Sequence, residues 1–152
     1  MPDPMFEAKI AQAVEILEEL DIDCWMTLAR ESGTVHDPSL DLVVGGNVTW
    51  ISAFLITRSG RRIAILGSLD VAAHEARGHY TEIVPYVKGV RASLLQVLAD
   101  LDPRRIAINY SAGDELADGL PHGLYLKLLE LLEGTPYGAR LVSSEGIVAR
   151  LR

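Results

Sequence analysis

Asn109-Tyr110-Ser111 cuts short the apolar run Ile106-Ala107-Ile108, and Asp114, Glu115, Asp118, Gly119, Pro121 and His122 follow before a leucine-rich segment. Amide, hydroxyl, carboxyl and imidazole groups gathered this closely could serve a hydroxyl nucleophile with its base, or a metal ion. The spacings support neither. Ser111 lacks a GxSxG elbow and has no base at a suitable offset. The four histidines, His36, His74, His79 and His122, form no HExxH pair, and no two share a helical face. His74 and His79, on either side of Gly78, read as solvated surface residues. Cys24, beside Trp25 and Met26, reads as a packed core thiol rather than a reactive one. Gly45-Gly46 has no phosphate-loop pattern around it.

Turn chemistry accounts for most of the cluster. In Asp118-Gly119-Leu120-Pro121 the carboxylate can bond turn amides, Gly119 can supply a positive φ, and Pro121 suits a first helical turn. Asn109, Tyr110 and His122 are expected to form a hydrogen-bonded knot beneath that turn.

The elements that position these residues follow from periodicity. Ile10, Val14, Leu17 and Leu20 mark an amphipathic helix over residues 7–20. Residues 24–29 form a short buried strand, and residues 30–47 read as a long polar loop, uncommon in a packed domain unless it binds something. Two aliphatic runs, 49–57 and 62–66, flank Ser59-Gly60 and predict a hairpin. A short helix over 70–77, capped by Ser68 and stopped by Gly78, precedes a strand at 82–87. Leu94, Leu95, Leu98 and Leu101 mark a helix that Asp102-Pro103 ends. A strand at 106–108 leads through the turn to a helix carrying Tyr125, Leu128, Leu129 and Leu132. A strand at 140–142 and a helix from Ser144 close the chain. The class is α/β, a mixed β-sheet flanked by helices on both faces.

With 152 residues, 49% hydrophobic and 23% charged, the chain has the composition of one packed domain. Its formal net charge of −7 argues against a nucleic-acid footprint or an anionic membrane partner. The single cysteine excludes an internal disulfide, and the amino terminus has no signal-peptide character, so the expected compartment is the cytoplasm.

Taken together, residues 106–111, Ala117 to Tyr125, the opening helix leading into Asp23-Cys24-Trp25, the hairpin from Trp50 to Leu66, and Leu141-Val142-Ser143-Ser144 before a last helix resemble one known pattern. They are similar to the amino-terminal domain of the creatinase/prolidase/aminopeptidase P family, the Xaa-Pro peptidases. The resemblance implies that residues 1–152 are a non-catalytic domain, with a "pita-bread" catalytic domain expected beyond Arg152. The final helix lacks a stop signal, in keeping with a fragment. The resemblance also implies two divalent metals, Mn or Co, on Asp, His and Glu ligands of that other domain, and no cofactor in this one. The implied partners are the catalytic domain, a second copy in a homodimer, and proline-containing peptides. Such domains help close the substrate cleft, and Arg30, His36, Asp37 and Trp50 are the candidates for that contribution. Plainer roles stay open for each: a surface ion pair for Arg30, a turn for His36 and Asp37, core filling for Trp50. Residues 30–38 depart from the shorter loop usual in the family. Two other readings remain, a free-standing binding module of the same fold, and a small nucleotide- or cofactor-binding protein using Gly45-Gly46.

Overall fold

The computed structural model describes residues 2–152. Its six strands fall on the apolar runs: β1 (Cys24–Ala29), β2 (Ser52–Thr57), β3 (Arg62–Gly67), β4 (Glu82–Tyr86), β5 (Ile106–Ile108) and β6 (Leu141–Ser143). They make one mixed sheet in the order β4-β3-β2-β1-β5-β6. β2 runs antiparallel to both neighbours, and the remaining pairs are parallel. The carboxyl ends of β1, β3, β4, β5 and β6 therefore share one edge with the start of β2. The hairpin turns where expected: Gly60 takes φ 95° and its N–H donates to Thr57 O at 2.9 Å.

Strand residues alternate between two cores, as a period of two requires. Trp25, Phe54, Ile56, Ala64 and Leu66 face one side; Cys24, Met26, Leu28, Leu55 and Ile65 face the other. Both faces are covered, which is why the strands read as continuous apolar runs. On the first face lie α1 (Pro4–Leu20), α2 (Pro38–Val43), α3 (Val71–Arg77) and α6 (Glu145–Leu151); on the second lie α4 (Arg91–Leu101) and α5 (His122–Leu131). α1 starts at Asp3, whose carboxylate accepts from Met5 N at 2.9 Å, with Pro4 in the first turn. α4 ends at Asp102, in the left-handed conformation, just before Pro103. No helix among the described residues is long and apolar enough to cross a membrane.

The structure corrects four expectations. Residues 30–47 are not all loop, because Asp37 caps α2 by accepting from Ser39 N at 2.9 Å, with Pro38 in the first turn. The apolar face of α5 is Leu124, Leu128 and Leu131; Tyr125 is only partly buried. Ser68 does not cap α3 but opens a 3₁₀ turn that runs into it. Finally, His74 and His79 are buried, not solvated. His74 Nε2 bonds Asn47 O and His79 Nδ1 bonds Val44 O, both at 3.0 Å, and each ring packs on an aromatic neighbour, Phe54 and Phe6 respectively. A backbone carbonyl as partner satisfies an imidazole inside a core, and sequence periodicity carries no sign of that.

Candidate functional site

The neighbouring carboxyl ends of β1 and β5 part to different elements: β1 leads to Arg30 and the 30–37 segment, β5 to Asn109 and its turn. In α/β sheets the crevice at such a divergence is the customary ligand position. A cleft of about 430 Å³ opens there, lined by Arg30, His36, Asp37, Asp118, Gly119 and Leu124 among others.

Its floor is a closed hydrogen-bond network around Asn109. The Asn109 amide group donates to Asp37 Oδ2 at 2.7 Å and to Thr27 Oγ1 at 3.2 Å. Its Oδ1 accepts from Trp25 Nε1 at 2.8 Å and from Ser144 Oγ at 2.6 Å. Two donors and two acceptors are thereby used in full, the condition for burying an amide without penalty. β1, the cap of α2, β5 and the start of α6 all meet on this one side chain. A knot under the turn does exist, but with other members than the sequence suggests. Tyr110 and His122 lie outside it, both solvent-exposed, because Tyr110 follows Asn109 off the strand and His122 begins α5.

Asp37 is buried, and that burial pushes its carboxyl above the usual Asp range, while the hydrogen bonds from Ser39 and Asn109 pull the other way. Gly119 presses against it. A Cβ at Gly119 would overlap the Asp37 carboxyl group, yet its φ is not positive. The glycine is needed for close approach, so the expected left-handed conformation is corrected. Asp118 does bond the turn, accepting from Ser111 N at 3.1 Å.

Charge at the cleft mouth is uneven. His36 pairs with Asp41 at 3.0 Å on the surface. Arg30 is exposed and has no hydrogen-bond or ion-pair partner among the described residues. A Cβ on Gly123 would sit 3.7 Å from Arg30 Nη2, which places this free guanidinium beside the first turn of α5. The arrangement can take up a carboxylate or similar planar anion in a fork geometry. Trp50 does not line this cleft; it lies further along the same edge against Tyr86, half-open to solvent. Gly45 and Gly46 cradle nothing: side chains placed there would meet Phe6 in one case and Arg77 and His74 in the other.

The site residues that sequence reasoning missed are Trp25, Thr27 and Ser144. Nothing in their local spacing points to Asn109. The Asp37-Pro38 pair carries a signal that the polar-loop reading of residues 30–47 passes over: Asp before Pro and ahead of Leu40, Val43 and Val44 is a helix-start signature.

Sheet order, helix placement and edge geometry define a known architecture. The fold is that of the amino-terminal domain of creatinase/prolidase-type Xaa-Pro peptidases. The chain superposes on an Xaa-Pro dipeptidase from Bacillus anthracis with TM-score 0.67 and 16% identity, over 97% of this chain and 36% of that one. It thus spans about a third of that dipeptidase's length. An Xaa-Pro aminopeptidase from Streptococcus thermophilus matches with TM-score 0.67 and 13% identity, over 97% of this chain and 98% of the other. The creatinase/prolidase N-terminal domain of an X-Pro dipeptidase from Streptococcus pyogenes matches with TM-score 0.66 and 12% identity, over 95% and 98%. No protein-family model and no curated protein matches the chain by sequence.

Proposed function

We propose that the chain is the amino-terminal, non-catalytic domain of a proline-specific metallopeptidase, an Xaa-Pro aminopeptidase or dipeptidase. In this reading it packs on a catalytic domain in a homodimer, and its Arg30 cleft helps to close the substrate site. The observation that carries the reading is a guanidinium without an ion-pair partner among the described residues, beside a cleft at the sheet's carboxyl edge, in a fold shared with such peptidase domains. A short proline-containing peptide offers the matching groups: a terminal carboxylate for Arg30 and an apolar ring for Leu124. Holding it there lowers the entropy cost of aligning the scissile bond.

The two divalent metals implied by such a peptidase do not fit the residues of this chain. Among the described residues no three of His, Cys, Asp and Glu gather where one ion could bind. Near the cleft, Asp37 is engaged by Ser39 and Asn109, and His36 by Asp41. The hydrolytic step is therefore assigned to ligands of the catalytic domain.

Assays on the chain alone and on the protein encoded by the longer reading frame test the proposal. The chain alone should release nothing from Xaa-Pro peptides with Mn²⁺ or Co²⁺, whereas the longer protein should hydrolyse them. In the longer protein, Arg30→Ala and His36→Ala should each lower kcat/KM by about tenfold, or ~1.4 kcal/mol. Unchanged turnover in both variants removes the cleft's role; a stop codon after Arg152 turns the reading to a free-standing binding module.

A further inference from the structure

Six arginines of this chain face carboxylates: Arg58, Arg61, Arg62, Arg140, Arg150 and Arg152 each have at least one acidic partner. At the β4 end of the carboxyl edge, a cleft of about 440 Å³ is lined by Lys88, Arg91 and Lys127 and by no Asp or Glu. Two of the chain's three lysines lie there, in a molecule of net charge −7. Lys88 has no bonded partner among the described residues. Lys127 meets only Glu130, at 3.4 Å on the surface, and Arg91 gives one N–H to the neutral Glu133 carbonyl at 3.1 Å.

The rest of the lining is aromatic and apolar, and it is held in place. The Trp50 and Tyr86 rings lie 5.9 Å apart at 40°. Tyr86 is fixed by its hydroxyl, which donates to Ile51 O at 2.6 Å. Trp50 lies where Gly67 has no side chain; a Cβ at Gly67 would overlap the indole. Trp50 nonetheless keeps 38% exposure, with Leu131 lining the same cleft. An indole secured on one side and open on the other is a stacking surface.

We propose that this second cleft binds a small aromatic carboxylate, its ring against Trp50 and Tyr86 and its charge toward Lys88, Arg91 and Lys127. A bare anion would use the cations alone, and a neutral arene the rings alone. Only a ligand carrying both uses the whole lining. The site stands apart from the Arg30 cleft and shares no lining residue with it.

The test is amide and indole NMR of the 152-residue chain titrated with 2-naphthoate, its neutral counterpart 2-naphthalenemethanol, and inorganic phosphate. Naphthoate should give saturable shifts centred on the Trp50 indole N–H and the amides of Gly89 to Arg91. The alcohol, which lacks the charge, and phosphate, which lacks the ring, should each bind at least about fivefold more weakly, the difference that ~1 kcal/mol of lost contact makes. Lys88→Gln with Lys127→Gln should weaken naphthoate by a similar factor and leave the alcohol unaffected; both side chains are on the surface, so the fold should persist. Equal affinity for naphthoate and the alcohol would reduce the site to an apolar patch. Equal affinity for phosphate would reduce it to charge attraction, and shifts centred elsewhere would overturn it outright.

Discussion

The Asn109 knot and the His74/His79 pair bury polar side chains to the same depth, all of them 0–5% exposed when Asp37 is included. They differ in what they join. In the knot, side chains bond side chains, so four separate segments depend on one amide. The histidines instead bond only backbone groups: His74 the Asn47 carbonyl, and His79 the Val44 carbonyl and, at 3.0 Å, the Asp3 N–H at the start of α1. The first arrangement concentrates the cost of failure in one residue, and the second spreads it. Position adds to the contrast: the knot underlies the Arg30 cleft, whereas the histidines lie behind α2, away from it.

Asn109→Leu should show the largest effect. It strands the Trp25 indole N–H, the Ser144 hydroxyl and the buried Asp37 carboxyl in one step. Unpaired buried polar groups cost ~1–3 kcal/mol each, and partial relaxation brings the total to about 3–5 kcal/mol. Urea denaturation measures it. A loss under about 1 kcal/mol would mean that water enters freely and that the two regions do not differ as described.

Gly119→Ala sharpens the same contrast from the packing side. The new methyl group overlaps the Asp37 carboxyl, and overpacking of this kind costs about 1–3 kcal/mol. Because φ at Gly119 is not the cause, the penalty should shrink in an Asp37→Ala background, where no γ atom is left for the new methyl group to meet. Additive losses in the double-variant cycle would instead return the cause to the backbone.

These residues also show where sequence reading succeeds and where it stops. All six strands were legible from apolar runs and turn residues, and in the four central ones burial on both faces leaves a continuous signal. Asp118 and Gly119 were legible as a turn. What the turn rests on was not: Asp37 lies in a segment that reads as polar loop, and its meeting with Gly119 depends on the pairing of β1 with β5. Arg30, His36, Asp37 and Trp50 were selected as one cleft, and the structure brings the first three together while moving Trp50 to another. His74 and His79 were misread because a buried histidine satisfied by a backbone carbonyl leaves no pattern along the chain.

The smallest expected effect separates the two regions by sign rather than size. Burial raises the Asp37 carboxyl above its ordinary value of 3.8, against the hydrogen bonds from Ser39 and Asn109 and the nearby His36. A raised acid contributes stability that is complete below 3.8 and is lost as pH climbs through the folded value. Burial lowers His74 below 6.5; the Asn47 carbonyl and Asp70 oppose this, while Arg77 and His79 reinforce it. A depressed base contributes stability that is complete above 6.5 and is lost as pH falls. Each limb carries one proton, so neither slope can exceed ~1.4 kcal/mol per pH unit. Urea midpoints for the parent, Asp37→Ser and His74→Phe between pH 3.5 and 7.5 separate them, since subtracting the parent profile cancels the other carboxylates. The His74→Phe difference should favour the variant increasingly below pH 6.5. The Asp37→Ser difference should favour that variant increasingly as pH rises from 3.8. If both difference profiles run flat, neither group changes its proton on unfolding, and burial at these two sites is less complete than their 3% and 5% exposures indicate.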